Sequence, residues 1–265
     1  MKGIDRIKRA FEAREGIKVM AHSVCGYPDM ATSGRILEAL AASGADFIEA
    51  QLPFSDPSAD GPSIVAANHS ALRAGSHTAD CVASLEALRG KTDAPILIMS
   101  YLNPLLAFGI DALVEWAERS GLDGFIVPDY PDDEPELDLA GKCAAAGLAL
   151  VPLIAPTTSL ERAAALAVGS ASPFLYVVLR LGVTGRKTVL DSASLERLAA
   201  LKERTGKYVA AGFGIRERSQ VKALRGSADC AIAGSVLVDE AREAMDAGKD
   251  PAEAVGALLR SFLGA

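Results

Sequence analysis

Residues 30–53 read MATSGRILEALAASGADFIEAQLP. Within Met30–Ser43 the apolar side chains fall three and four apart, the period of a helix that buries one stripe and shows its other face to water. Gly44 follows, where a helix C-cap favours a residue that enters the left-handed conformation without steric cost. Phe47–Pro53 is then a short, mainly apolar run of strand length. Helix, glycine stop and strand form one repeating unit.

The unit recurs along the chain. Strand-like runs lie at Val19–Cys25, Phe47–Pro53, Pro95–Leu102, Gly124–Asp129, Leu148–Ala155, Phe174–Leu181, Tyr208–Phe213 and Cys230–Val238. Several are apolar almost throughout, as parallel strands covered on both faces must be. Ile110–Ser120 repeats the helical spacing, and Gly121 and Gly147 repeat the glycine stop. Eight such units without a proline-rich linker predict one parallel α/β domain over residues 1–265. Alternation alone also suits an open doubly wound sheet. The count of eight and a length of 265 residues favour a (β/α)8 barrel. An N-terminal helix precedes the first strand.

One interval is out of step. Strand starts lie 22 to 34 residues apart, except for the 48 between Phe47 and Pro95. The surplus falls in Pro53–Ser76, which predicts an extended second βα loop. Such loops form the C-terminal face of a barrel, where active sites are built.

Composition narrows the function. Lys and Arg number 27 against 34 Asp and Glu, a net charge of −7, the wrong sign for a protein that displaces counterions from nucleic acid. Cys25, Cys81, Cys143 and Cys230 are widely spaced with no CxxC pair, and no HxH or HExxH occurs, so neither a zinc site nor a disulfide framework is expected. The charged start MKGIDRIKRAFEAREG is no signal peptide, and no apolar run reaches membrane-spanning length. A soluble cytoplasmic protein is the expectation.

Candidate chemistry gathers near the second strand. Glu49 is a lone carboxylate in an apolar run, and the loop Pro53-Phe-Ser-Asp-Pro-Ser-Ala-Asp-Gly-Pro62 adds Asp56 and Asp60. A Glu49 aimed into the barrel mouth would suit proton transfer; an end-of-strand glutamate in water and a turn aspartate are the plainer alternatives. Glycine-bearing turns at Gly182-Val-Thr-Gly185, Gly212-Phe-Gly214 and Gly234-Ser235 follow the last three strands. Together they suit backbone binding of a phosphate, helped by a short helix starting near Ser235. Tyr101 and Tyr176 could line a pocket or cap the core. His22 in the first strand reads as a structural histidine, and His69 and His77 as helix-surface residues.

The order and spacing of several motifs resemble the α subunit of tryptophan synthase over nearly the whole chain. The motifs are Glu49 with PFSDPSADGP (53–62), Tyr101-Leu-Asn-Pro104, Gly124-Phe-Ile-Val-Pro-Asp129, Ala155-Pro-Thr-Thr158, Gly182-Val-Thr-Gly185, Gly212-Phe-Gly-Ile215 and Gly234-Ser235. The resemblance implies a (β/α)8 barrel that cleaves indole-3-glycerol phosphate to indole and glyceraldehyde 3-phosphate. Glu49 and Asp60 would be catalytic. His22, Tyr101, Asp129, Tyr176 and Thr184 would line the indole and glycerol side, and Gly185, Phe213, Gly214, Gly234 and Ser235 would hold the phosphate. Pro53, Phe54, Asp56 and Pro57 would touch a β subunit in an α2β2 heterotetramer. No cofactor or metal is implied in this chain; pyridoxal phosphate would belong to the β subunit. The chain departs from the family pattern at His22, usually aromatic, at Val24-Cys-Gly-Tyr-Pro28, at Ala50-Gln51 (usually Leu-Gly), and at Val65 and Leu179. These departures surround the pocket and bear on turnover or substrate preference. A subunit that only activates its β partner, a stand-alone lyase and another phosphate-binding barrel such as an isomerase are the competing expectations.

Overall fold

The computed structural model describes residues 1–131, 136–178, 190–212 and 214–264. Its strands are β1 (Lys18–Val24), β2 (Phe47–Gln51), β3 (Ile96–Met99), β4 (Gly124–Ile126), β5 (Ala149–Leu150), β6 (Leu153–Ile154), β7 (Phe174–Val178), β8 (Tyr208–Gly212) and β9 (Cys230–Ala233). All pair in parallel, in the order β5-β4-β3-β2-β1-β9-β8-β7-β6. The two ends of this sheet are consecutive in sequence. β5 and β6 are halves of one stave parted at Val151-Pro152, because proline has no N–H to continue the ladder. Val151 N–H still donates to Phe125 O on one side, and Pro152 O accepts from Tyr176 N–H on the other, both at 2.9 Å. The sheet therefore closes on itself as a (β/α)8 barrel of eight staves, each overlapping one of the eight apolar runs.

Alternation along each strand sorts the side chains. Ile48 and Ala50 pack outward against the helices, in the layer that holds Val19, Ile98 and Val209. Phe47 faces inward with Met20, Leu97, Phe174 and Cys230. The next inward positions after Phe47 are Glu49 and Gln51, closer to the C-terminal mouth.

The N-terminal helix Gly3–Glu12 closes the opposite end. Ile7 and Phe11 belong to the interior layer, and Phe11 lies 4.3 Å from Tyr208 and 4.7 Å from Phe47 between ring centroids. Arg6 ties this helix to the barrel through the Gly121 carbonyl and the buried Asp123 carboxylate. Asp123 also accepts from Ile96 N–H at 2.7 Å and meets Arg89 at 3.3 Å. Burial pushes its carboxyl up to about 6, against the pull of that amide and the two guanidinium groups.

Two boundaries differ from the sequence reading. The surplus after β2 is mostly helix: Pro62–Arg73 is helical and only residues 52–61 form the loop proper, before the helix Thr78–Arg89. The last run was expected to be strand to Val238, but the strand ends at Ala233 and a twelve-residue helix, Ser235–Asp246, begins after Gly234. Val236, Leu237 and Val238 are apolar because they form that helix's buried side. His77 sits at the N-cap of Thr78–Arg89, and His69 is exposed.

Gly124 shows how closely staves approach. A Cβ there would lie 2.1 Å from Ala149 O, a backbone atom unable to swing aside. Gly124→Ala should lower unfolding stability by about 1–3 kcal/mol through overpacking. An unchanged urea midpoint would show that this contact does not require glycine. Among the described residues, no helix is long and apolar enough to cross a membrane, and no group of three or more His, Cys, Asp or Glu is arranged to hold a metal ion.

Candidate active site

The β1–β2 register places His22 opposite Glu49 and Val24 opposite Gln51. His22, Glu49 and Gln51 are all buried, so three polar side chains share the upper part of an otherwise apolar interior. His22 Nδ1 lies 3.4 Å from Glu49 Oε2, close enough for strong attraction yet not aligned as a hydrogen bond. Burial disfavours the charged imidazolium, but the Glu49 and Asp60 carboxylates outweigh it and hold His22 above its ordinary value.

The loop after β2 returns Asp60 over this cluster. Ser58 N–H donates to Asp56 O at 2.8 Å and Asp60 N–H to Pro57 O at 3.0 Å, turns suited to proline and aspartate. Asn68 anchors the near end of the loop, accepting from Phe54 N–H at 2.9 Å. Tyr101 anchors the far end, accepting from Ala59 N–H at 3.1 Å while its ring packs 5.4 Å from Phe54. The Tyr101 hydroxyl donates to Asp60 Oδ2 at 2.9 Å, and Gln51 Nε2 donates to the same oxygen at 2.7 Å. Burial raises the Asp60 carboxyl above the usual range, against the stabilising effects of His22, Gln51 and Tyr101. Burial and the adjacent Asp60 charge push the Tyr101 hydroxyl up in turn, keeping it a donor.

Tyr176 joins the group from β7. Its hydroxyl is pushed well up, first by burial and then by Glu49 and Asp60, and its ring lies against Gly212, where a Cβ would sit 3.4 Å away. Gly234 caps the helix Ser235–Asp246 directly beside His22; a Cβ there would be 3.8 Å from His22 Cβ. The helix N-terminus, with its unsatisfied amides and positive dipole end, therefore borders the mouth.

The structure gathers Glu49, His22, Asp60, Tyr101, Tyr176, Gly234 and Ser235. Asp129 is exposed, and its carboxylate accepts from Leu102 N–H at 2.8 Å at the start of the helix Leu102–Phe108, beside Tyr101. Thr184, Gly185 and Phe213 lie outside the described residues. Of the residues expected to meet a partner, Asp56 is exposed, Phe54 half-buried, and Pro53 and Pro57 buried. Sequence reading noted Gln51 only as a departure and missed its bond to Asp60. The signal was its two-residue spacing from Glu49, which puts both on one face of the strand.

The family profile of the tryptophan synthase alpha chain matches residues 10–262. The chain belongs to the tryptophan synthase alpha chain family. The alpha chain of Carboxydothermus hydrogenoformans is 42% identical over 221 residues, covering 83% of this chain and 82% of its own length. That of a Caulobacter species is 38% identical over 255 residues, covering 95% and 91%. Among solved structures, Mycobacterium tuberculosis tryptophan synthase superposes with a TM-score of 0.88 at 31% identity, over 98% of this chain and 97% of the other. A tryptophan synthase alpha chain is a lyase of tryptophan biosynthesis, and the polar cluster at the barrel mouth is this member's candidate active site.

Proposed function

We propose that this alpha chain cleaves indole-3-glycerol phosphate to indole and glyceraldehyde 3-phosphate by a retro-aldol reaction. The observation that carries the reading is the pair of carboxylates, Glu49 and Asp60, set in different surroundings at one barrel mouth. Two such groups can take separate acid–base and electrostatic roles. Protonation at indole C3 makes the ring an electron sink, and the glycerol hydroxyl loses its proton as the C–C bond breaks. Glu49, buried beside His22, is the proton shuttle. Asp60 receives the ring N–H and stabilises the positive charge developing on that nitrogen, while Gln51 and Tyr101 fix its Oδ2. The apolar interior and Tyr176 take the indole. Gly214, Gly234 and Ser235 take the phosphate at a helix N-terminus, with Thr184, Gly185 and Phe213 assigned by resemblance to the same end. Because the substrate supplies its own electron sink, the cleavage calls on no cofactor from this chain; pyridoxal phosphate belongs to the β partner.

The partner, in this reading, meets the loop that carries Asp60, in an α2β2 heterotetramer. Asp56 is the exposed carboxylate of that loop and Phe54 its apolar edge, so docking there would order the segment that positions Asp60. Indole release from indole-3-glycerol phosphate, measured with and without a binding-competent β subunit, tests both statements. Weak activity alone and stimulation by the partner are expected, with Asp56→Ala reducing the stimulation more than the basal rate. Equal rates in both arms would make the chain a stand-alone lyase, and no indole in either arm would overturn the proposed activity.

A further inference from the structure

Among the described residues, six buried polar side-chain atoms have no hydrogen-bond partner, and three of them share the barrel mouth: His22 Nε2, Glu49 Oε2 and Gln51 Oε1. Folded proteins leave few such atoms, so three on adjacent side chains call for a physical reason. The Gln51 amide is oriented by its bond to Asp60. A carboxylate accepts, so the amide nitrogen must face it, and the amide oxygen is left as a buried acceptor. Glu49 Oε2 is the second acceptor, 3.4 Å from His22 Nδ1. A neutral imidazole carries one N–H and can serve only one of these oxygens, whereas the doubly protonated ring carries two and can serve both.

We infer that His22 and Gln51 are positioning residues for the cleavage, the imidazolium standing as a cationic link between Glu49 and the Gln51 amide, which is itself hydrogen-bonded to Asp60. The inference rests on the proposed lyase reading for its role in turnover. Its structural content, a protonated His22 beside two unpaired acceptors, rests on the 3.4 Å approach to Glu49 and on the three unpaired atoms gathered at the mouth. The groups facing the ring agree with it. β2 presents Glu49 and Gln51, and the loop after β2 presents Asp60, whose charge Tyr101 contacts from the end of β3. The Tyr176 hydroxyl from β7 lies in the field of both carboxylates. Gly234 and Ile64, from the other elements packed nearby, are uncharged. Gln51 acts on the ring in the same direction as the carboxylates, favouring the protonated form against the opposing effect of burial. The link gives Glu49 a fixed cationic neighbour and keeps Asp60 Oδ2 engaged, so Oδ1 is the oxygen assigned to substrate.

Imidazole NMR decides the structural part, because the chain has only three histidines and the other two, His69 and His77, are exposed. In the wild-type chain without substrate, the Glu49 and Asp60 carboxylates should outweigh burial and hold the His22 midpoint above that of a free imidazole. Glu49→Gln, an isosteric change, should lower the His22 midpoint, and Gln51→Ala should lower it by a smaller amount. A His22 ring that titrates at or below a free imidazole, or a midpoint unmoved by Glu49→Gln, would overturn the link. The role in turnover is read from the pH profile. Stability of the imidazolium is lost as pH rises through the His22 midpoint, so kcat for indole release should fall on that limb. In His22→Phe kcat should drop about tenfold and the limb should vanish; a His22→Phe profile keeping the same limb would overturn the role. Failure of the wild-type chain to release indole would instead count against the lyase reading, with the NMR result still deciding the state of the ring.

Discussion

Glu49→Gln should remove nearly all indole release, lowering kcat by ~10²–10⁴-fold, the range that positioned acid–base groups contribute. The substitution keeps volume and hydrogen-bonding reach but deletes the group that can give up and retake a proton. Its fold cost should be small. The neighbours Ile48 and Ala50 face the opposite, outer layer, and the inward position keeps a polar side chain beside His22. Steady-state indole release and thermal unfolding, measured on the same preparation, separate the two effects. A loss under about tenfold, with the fold intact, would take Glu49 out of the proton-shuttle role.

Asp60→Asn should lower kcat by ~10²–10³-fold, the scale seen when one preorganised electrostatic partner is removed from a developing charge. Two causes act together. The positive charge forming on the indole nitrogen loses its counter-charge at a buried position, where such attraction is stronger than in bulk water. The local hydrogen bonds add a second. Gln51 Nε2 and the Tyr101 hydroxyl both donate toward the same oxygen. An asparagine would turn its carbonyl to those donors and present its amino group where the ring N–H arrives, donor against donor. KM should rise along with the fall in kcat, whereas Glu49→Gln should act mainly on kcat. Near-wild-type turnover in Asp60→Asn would assign stabilisation of the indole nitrogen to another group.

The barrel was legible in the sequence because strands covered on both faces are mostly apolar and because glycine accepts the left-handed conformation at a helix stop. Gly44, Gly121 and Gly147 all take positive φ, of 90°, 69° and 71°. What periodicity could not resolve was where one apolar element passes into the next. Cys230–Val238 is one hydrophobic run, yet it contains a strand and the buried face of a helix, and only Gly234 marks the change. The surplus after the second strand was placed correctly and given the wrong character, because Pro62–Arg73 is a modest amphipathic helix with alanine, asparagine and serine among its residues. At the site, Glu49 and Asp60 stood out as carboxylates in unusual places. The roles of Gln51 and Tyr101 depended on how the loop returns over the strand, a long-range property that no local pattern encodes. His22 read as a satisfied core histidine; the structure gives it a carboxylate on one side and an unpaired nitrogen on the other.

The N-terminal helix has a consequence for molecular traffic. With Ile7 and Phe11 filling the base of the barrel and Phe11 wedged among Phe47, Phe174 and Tyr208, the interior is a blind well. Among the described residues the base of the barrel is filled, so in the proposed reaction a small aromatic product formed beside Glu49 would leave toward the C-terminal mouth. In that reading, a partner that took up the product would stand on the mouth side, where the loop bearing Asp56 lies. Entry, departure and handover would then all be governed from the mouth side, the face opposite the N-terminal helix.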